Sequence, residues 1–191
     1  MTGAVEGADG RLRCPWGSGT PDYVAYHDQE WGRRVRDDRG LFERLTLEAF
    51  QSGLSWLTIL RKREAFRAAF AQFEPTVVAG YDDSDRARLL ADAAIVRNRA
   101  KVDATITNAR AVLALDVSLT DLLWRYAPER PGRRPARLAD VPAKTAESTA
   151  MAKELKRRGF AFVGPTTAYA LMQAVGMVDD HLADCWVNSD I

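Results

Sequence analysis

Cys14 and His27 stand near one end of the chain and His181 and Cys185 near the other, and these four are its whole stock of cysteine and histidine. His181 and Cys185 are four residues apart, so on a helix both project from one face and can reach one ion. Cys14 and His27 are thirteen apart, across a turn containing glycine and proline. The resulting Cys2His2 set suits tetrahedral zinc, and four protein ligands leave no position for a catalytic water, so such an ion is structural. It would tie the N-terminal segment to the last helix and stabilise only the folded state. The spacing matches none of the common zinc-finger patterns, and buried free thiols with hydrogen-bonded core histidines are the alternative.

Two further groups could do chemistry. The stretch PWGSGTPDYVAYHDQEWG sets Trp16, Tyr23, Tyr26 and Trp31 among Asp28 and Glu30, and aromatic faces with polar handles suit a planar heterocyclic ligand. In LEAFQSGLSW, Glu48 lies among apolar positions and Trp56 follows a break at Gly53. A carboxylate on an apolar helix face needs a partner: a side chain, backbone N–H groups, or a ligand that donates hydrogen bonds or carries positive charge. Both a structural and a ligand-binding Glu48 fit that requirement. No nucleophilic triad is legible, and neither a Walker or dinucleotide loop nor the zinc-deaminase Pro-Cys-x-x-Cys pattern occurs.

Helices must position these groups. Apolar residues recur at three and four, with no run of alternating β-branched residues, which predicts an all-α protein. One helix runs from Leu41 behind Asp37 or Asp38 to a break at Gly53 and resumes through Trp56 toward Phe70. Ser84 and Thr120 are expected to cap two others, and a long stripe joins Val102, Ile106, Ala109 and Leu113. The Pro- and Arg-rich stretch from Pro128 to Pro142 reads as a loop. Ser148 to Arg158 reads as a helix stopped by Gly159, followed by a turn through Gly164-Pro165 into a second helix that Gly176 stops. That turn leaves the N–H groups of Val163, Gly164 and Thr166 free at a helix N-terminus, where they can hold a phosphate or simply close an αα-hairpin.

Bulk properties agree with one soluble domain. The composition is 47% hydrophobic and 28% charged with a net charge of +1, and no apolar run approaches the roughly 20 residues that span a bilayer. Residues 1–13 read as a flexible Gly/Ala/Asp tail without a secretory signal, and residues 14–191 as a single domain in a cytoplasmic, monomeric protein with no membrane partner. The basic clusters, including Arg97, Arg99 and Lys101, read first as solvated helix surface.

The motifs together resemble a known family. Cys14-Pro-Trp16, Tyr26-His27-Asp28, Glu30-Trp31-Gly32, Leu47-Glu48, Ser52-Gly53-Leu54-Ser55-Trp56, Arg97-x-Arg99-x-Lys101, Phe162-Val163-Gly164 and Asp180-His181 with Cys185 occur in the order seen in the 3-methyladenine DNA glycosylase I family, from about residue 14 to the end. The resemblance implies the helix-hairpin-helix DNA glycosylase fold, with the hairpin motif at about 148–176, and a structural zinc on Cys14, His27, His181 and Cys185. It also implies hydrolysis of the N-glycosidic bond of 3-methyladenine in double-stranded alkylated DNA, with free 3-methyladenine and an abasic site as products and no strand cleavage. Glu48 matches the base-contacting carboxylate, and Trp56 the residue that stacks on the extruded base. Tyr26 and Trp16 complete the pocket, and Trp31 lines or supports it. Gly53 and Leu54 match the segment that enters the DNA stack, and Val163, Gly164 and Thr166 the phosphate grip. Phe162 replaces the first glycine of the hairpin pattern, and Asp179 stands where relatives carry asparagine. Asp179 is expected to contribute little to the chemistry.

Overall fold

The computed structural model describes residues 3–130 and 132–188. Among them the chain is mostly helical: α1 (Pro21–Gln29), α2 (Asp38–Gln51), α3 (Trp56–Ala69), α4 (Pro75–Ala79), α5 (Asp83–Ala91), α6 (Arg99–Leu113), α7 (Leu119–Trp124), α8 (Ala146–Arg157) and α9 (Pro165–Ala174). Short 3-10 turns cover Pro15–Ser18, Ala71–Phe73 and Leu138–Asp140. No helix among the described residues is long and apolar enough to cross a membrane.

The all-α expectation needs one correction. Val5–Glu6 (β1) and Leu12–Arg13 (β2) pair antiparallel, so part of the expected tail is a hairpin. Its glycines make the turn rather than fraying it: Gly7 N–H donates to the Arg11 carbonyl at 2.9 Å, and Gly10 adopts φ +75°. The hairpin is also anchored, because Trp186 N–H donates to the Leu12 carbonyl at 2.8 Å and the Arg11 guanidinium lies over the Trp186 ring.

α2 is the central helix, packed against α3, α6, α7 and α9. Leu41, Phe42, Leu45 and Phe50 on it are fully buried, and Phe50 meets Phe66 and Phe70 of the next segment at ring distances of 4.7 and 6.1 Å. Each such ring contributes about 1.5–3 kcal/mol by leaving water, which is what lets α2 carry a polar residue inward. Asp37 caps α2 by accepting from Gly40 N–H at 2.7 Å.

Three helix starts differ from the sequence expectation, each for a hydrogen-bonding reason. Ser118, not Thr120, caps α7, because the Thr120 hydroxyl and N–H are both given to Asp38 at 2.6 and 2.8 Å. Asp82, not Ser84, caps α5 in a reciprocal box with Asp85. α8 begins at Ala146, with Thr145 as cap and Ser148 as the reciprocating third residue. Gly159 and Gly176 lie just past the ends of α8 and α9 with φ +89° and +71°, as expected of helix stops.

Candidate active site and metal centre

The four rare residues converge. Cys14, His27, His181 and Cys185 are all buried, and their ligand atoms lie within 4.8 Å of one another. Cys185 Sγ is 3.6 Å from both His27 Nε2 and His181 Nδ1, and Cys14 Sγ is 3.9 Å from His181 Nδ1. A tetrahedral ion with zinc's bond lengths requires sulfur–nitrogen edges of about 3.6 Å. The donor set and its spacing therefore fit a metal. Cys14 and Cys185 are free thiols rather than a disulfide. Cys14 hydrogen bonding pulls Cys185 well down, with both histidines assisting, while the same contact and burial push Cys14 up. A cation among the four would relieve that opposition.

The four side chains are braced from outside. Asp28 Oδ1 holds His27 Nδ1 at 2.8 Å, and Arg13, itself buried, grips Asp28 through Nε and Nη2 at 2.9 and 2.8 Å. Burial would raise the Asp28 carboxyl, yet Arg13 and His27 hold it below the usual range. Such a carboxylate–histidine pair fixes which ring nitrogen faces a metal. Gly17 leaves room for the same ring: a Cβ there would lie 2.4 Å from His27 Cδ2. On the other side, Asp179 accepts from His181 N–H at 3.3 Å and from Arg134 Nε at 2.6 Å. Arg134 also donates to the Val187 carbonyl at 2.8 Å, so the Pro- and Arg-rich loop clasps the end of the described chain.

An aromatic wall joins this cluster to a cavity of about 550 Å³. Trp16 touches His27 at 5.1 Å, Trp31 at 4.9 Å and Tyr23 at 5.9 Å between ring centroids, and Trp31 touches His181 at 4.7 Å. Tyr26 and Trp56 meet at 5.2 Å. Trp16, Tyr23, Tyr26, Trp31 and Trp56 line the cavity together with Glu48, so the structure brings Glu48, Tyr26, Trp56, Trp16 and Trp31 to one place. Glu48 is 6% exposed, and no described residue donates a hydrogen bond to it. Burial raises its pKa to about 8, against the opposing pull of Arg44 one turn earlier on α2. Burial and the neighbouring Glu48 keep the Tyr26 phenol protonated. The cavity is thus an aromatic slot around one unpartnered carboxyl, which can receive a flat ligand bearing donors or positive charge.

Some lining residues were given no role in the sequence reading. Gln51 and Ser55 flank Glu48 and Trp56, Leu138 and Val141 come from the Pro-rich loop, and Asp180 faces inward. Asp180 is locked by Tyr169 Oη at 2.6 Å and Gln173 Nε2 at 2.7 Å, whereas Asp179 turns to Arg134. The helical spacing of Tyr169 and Gln173 on α9 was the available signal, but their shared target lies outside the helix.

Two turns carry the segments expected to meet DNA. Gly53 has φ +81°, and Leu54 next to it is 41% exposed at the tight turn between α2 and α3. At the other, Gly164 caps α9 and Pro165 opens it, and among the described residues no backbone acceptor takes the N–H of Val163, Gly164 or Thr166. Lys101, read with its neighbours as solvated surface, is instead buried. Its ammonium has left water for two backbone carbonyls, at 2.8 Å for Phe50 and 2.6 Å for Ser52.

Comparison with known proteins agrees with this arrangement. The family model described as methyladenine glycosylase matches residues 16–188. DNA-3-methyladenine glycosylase 1 of Escherichia coli (strain K12) is 46% identical over 177 residues, 91% of this chain and 95% of that protein. The DNA-3-methyladenine glycosylase of Haemophilus influenzae is 44% identical over 177 residues, 91% of this chain and 96% of that protein. A crystal structure of 3-methyladenine DNA glycosylase I superposes with a TM-score of 0.88 at 47% identity, covering 91% of this chain and 98% of that one. The Staphylococcus aureus enzyme, solved to show how it recognises 3-methyladenine, gives 0.86 at 37% identity over 91% and 95%. The convergent Cys/His ends, the aromatic cavity and a match of this extent lead to one assignment: the chain belongs to the methyladenine glycosylase family.

Proposed function

We propose that this protein extrudes 3-methyladenine from alkylated double-stranded DNA into the Glu48 cavity and hydrolyses its N-glycosidic bond, the first step of base excision repair. The observation that carries the proposal is the buried, unpartnered carboxyl of Glu48 inside an aromatic slot. Methylation at N3 makes adenine cationic within DNA, so the bond to C1′ is weak and the base departs without needing a proton. The bonding electron pair leaves with the base as neutral 3-methyladenine, while water adds to C1′ and gives its proton to solvent. The protein's work is extrusion, orientation and stabilisation of charge. The arriving cation lowers the Glu48 pKa and displaces its proton to solvent. The resulting carboxylate accepts hydrogen bonds from the adenine edge and attracts the cation, while Trp56 and Tyr26 cover the base's faces and Trp16 and Trp31 close the slot. No lysine nucleophile is assigned, so release leaves an abasic site with an intact strand.

Gly53 and Leu54 enter the base stack, where an apolar side chain offsets lost stacking. The α8–turn–α9 unit acts as the helix-hairpin-helix, with the N–H groups of Val163, Gly164 and Thr166 on a backbone phosphate. Zinc is the ion that suits the Cys14, His27, His181 and Cys185 set, and its role is to hold the chain ends behind the aromatic wall. Asp179 serves Arg134 and His181 rather than the reaction.

Chromatography of bases released from methylated duplex DNA tests the proposal. Free 3-methyladenine with no strand breaks is the expected result. DNA binding without base release would instead identify a damage-binding module that does not cut.

A further inference from the structure

Lys101 and Asn108 lie seven residues apart on α6, two turns and about 10.5 Å along one face, and both are buried, at 6% and 1% exposure. Each spends its polar groups on a different loop. Lys101 Nζ donates to the Phe50 and Ser52 carbonyls at 2.8 and 2.6 Å, gathering the end of α2 just before Gly53 and Leu54. These carbonyls are orphaned where α2 ends, and a cation is the favoured group at that pole. Asn108 exchanges two hydrogen bonds with Ala161, accepting from its N–H at 2.7 Å and donating to its carbonyl at 3.1 Å. Ala161 immediately precedes Phe162, whose φ of +62° is a strained value for a bulky residue and bends the chain into Val163 and Gly164. The structure supplies Lys101 with no carboxylate among the described residues, so its ammonium is retained inside the protein for backbone carbonyls alone.

From this juxtaposition we infer that Lys101 and Asn108 are positioning residues for base extrusion, and that α6 sets the distance between the wedge at Gly53-Leu54 and the phosphate grip at Val163-Gly164. A duplex gripped at a phosphate opens at the intended step only if the wedge meets the stack at a fixed offset from that grip. Two side chains rooted two turns apart on one rigid helix provide that offset. Neither touches the base, so their loss should impair work on the duplex while leaving recognition of the free base intact. The inference rests on the proposed base-extruding function.

A double-mutant cycle separates a positioning role from a merely stabilising one. Single-turnover excision from methylated duplex is measured for the unaltered protein, Lys101→Met, Leu54→Ala and the double variant, with binding of free 3-methyladenine measured on each. Lys101→Met is expected to slow excision about tenfold, to slow it less than about twofold further in the Leu54→Ala background, and to leave free-base affinity unchanged. Additive losses, an unaffected Lys101→Met, an unaffected Leu54→Ala, or a parallel fall in free-base affinity would each overturn the inference. Lys101→Gln, which keeps a donor on a shorter stem, is read the same way should Lys101→Met not fold. Asn108→Ala is expected to weaken duplex binding several-fold with free-base affinity intact, and unchanged duplex binding would contradict its part. Excision by the unaltered protein tests the underlying function separately, since its absence would remove that function whatever the variants did.

Discussion

A carboxyl held away from water until its pKa reaches about 8 destabilises the fold that holds it, and the sign of that effect is testable. Between the unfolded value near 4.5 and the folded value near 8, the native state binds more protons than the unfolded one, so the contribution of Glu48 to stability is complete below the lower value and is lost as pH rises through the upper. Glu48→Gln should therefore raise Tm by roughly 10 °C at pH 8 and by little at pH 5. Thermal unfolding across that range checks it, and a pH-independent difference would mean that Glu48 is already satisfied. At the Cys/His cluster, Asp28→Asn keeps the shape beside His27 but discards the charge that Arg13 and His27 share. Metal competition with a chelator should show affinity lower by about 10- to 100-fold. The Cys/His cluster and the buried position of Glu48 were legible because these residues were misfits: the scarcest residue types in the chain and a charge on an apolar face. Lys101 was not, because its partners are backbone carbonyls, which leave no mark on a sequence. The inward turn of Asp180 and the outward turn of Asp179 were equally hidden, since adjacent aspartates differ only in the partners that tertiary packing offers.

Among the elements, helices were readable wherever an apolar stripe and a stop residue coincided, as at Gly53, Gly159 and Gly176. Their starts were less so, because several polar residues near each start compete as caps and the winner depends on a neighbour: Asp38 takes Thr120 from α7 and leaves Ser118 to cap it. The β1–β2 hairpin escaped because its strands are two residues long and its stability comes from Trp186 and Asp28, remote in sequence. The loop from 128 to 142 shows the same effect on a larger scale, since its prolines indicate a loop but not that Leu138 and Val141 would wall the cavity. Arg134 is the test of whether that loop is structural. Arg134→Ala abandons Asp179, whose side chain is 8% exposed, as well as the Val187 carbonyl. Removing a charged hydrogen-bond partner from a nearly buried carboxylate costs about 2–3 kcal/mol, so Tm should fall by about 5–10 °C and metal loss to a chelator should accelerate. A solvated surface arginine would change neither.

At the scale of the molecule, the rare residues stand at the chain ends because the ends close behind the aromatic wall. Cys14 and His27 bracket Trp16 and Tyr26, while His181 packs on Trp31, so whatever holds the four ligands together also fixes three walls of the cavity. Glu48 enters that space from the central helix, and α6 ties the two loops that would meet DNA. The proposed division of labour assigns chemistry to a single carboxyl and geometry to nearly everything else. Single-turnover excision of 3-methyladenine from methylated duplex by the unaltered protein and by Glu48→Gln, with DNA affinity measured in parallel, tests that division most directly. Excision should fall about a hundredfold in Glu48→Gln, as expected when a desolvated ionic hydrogen bond is replaced by a neutral one, while DNA affinity stays the same. Equal excision rates for the two proteins would contradict it.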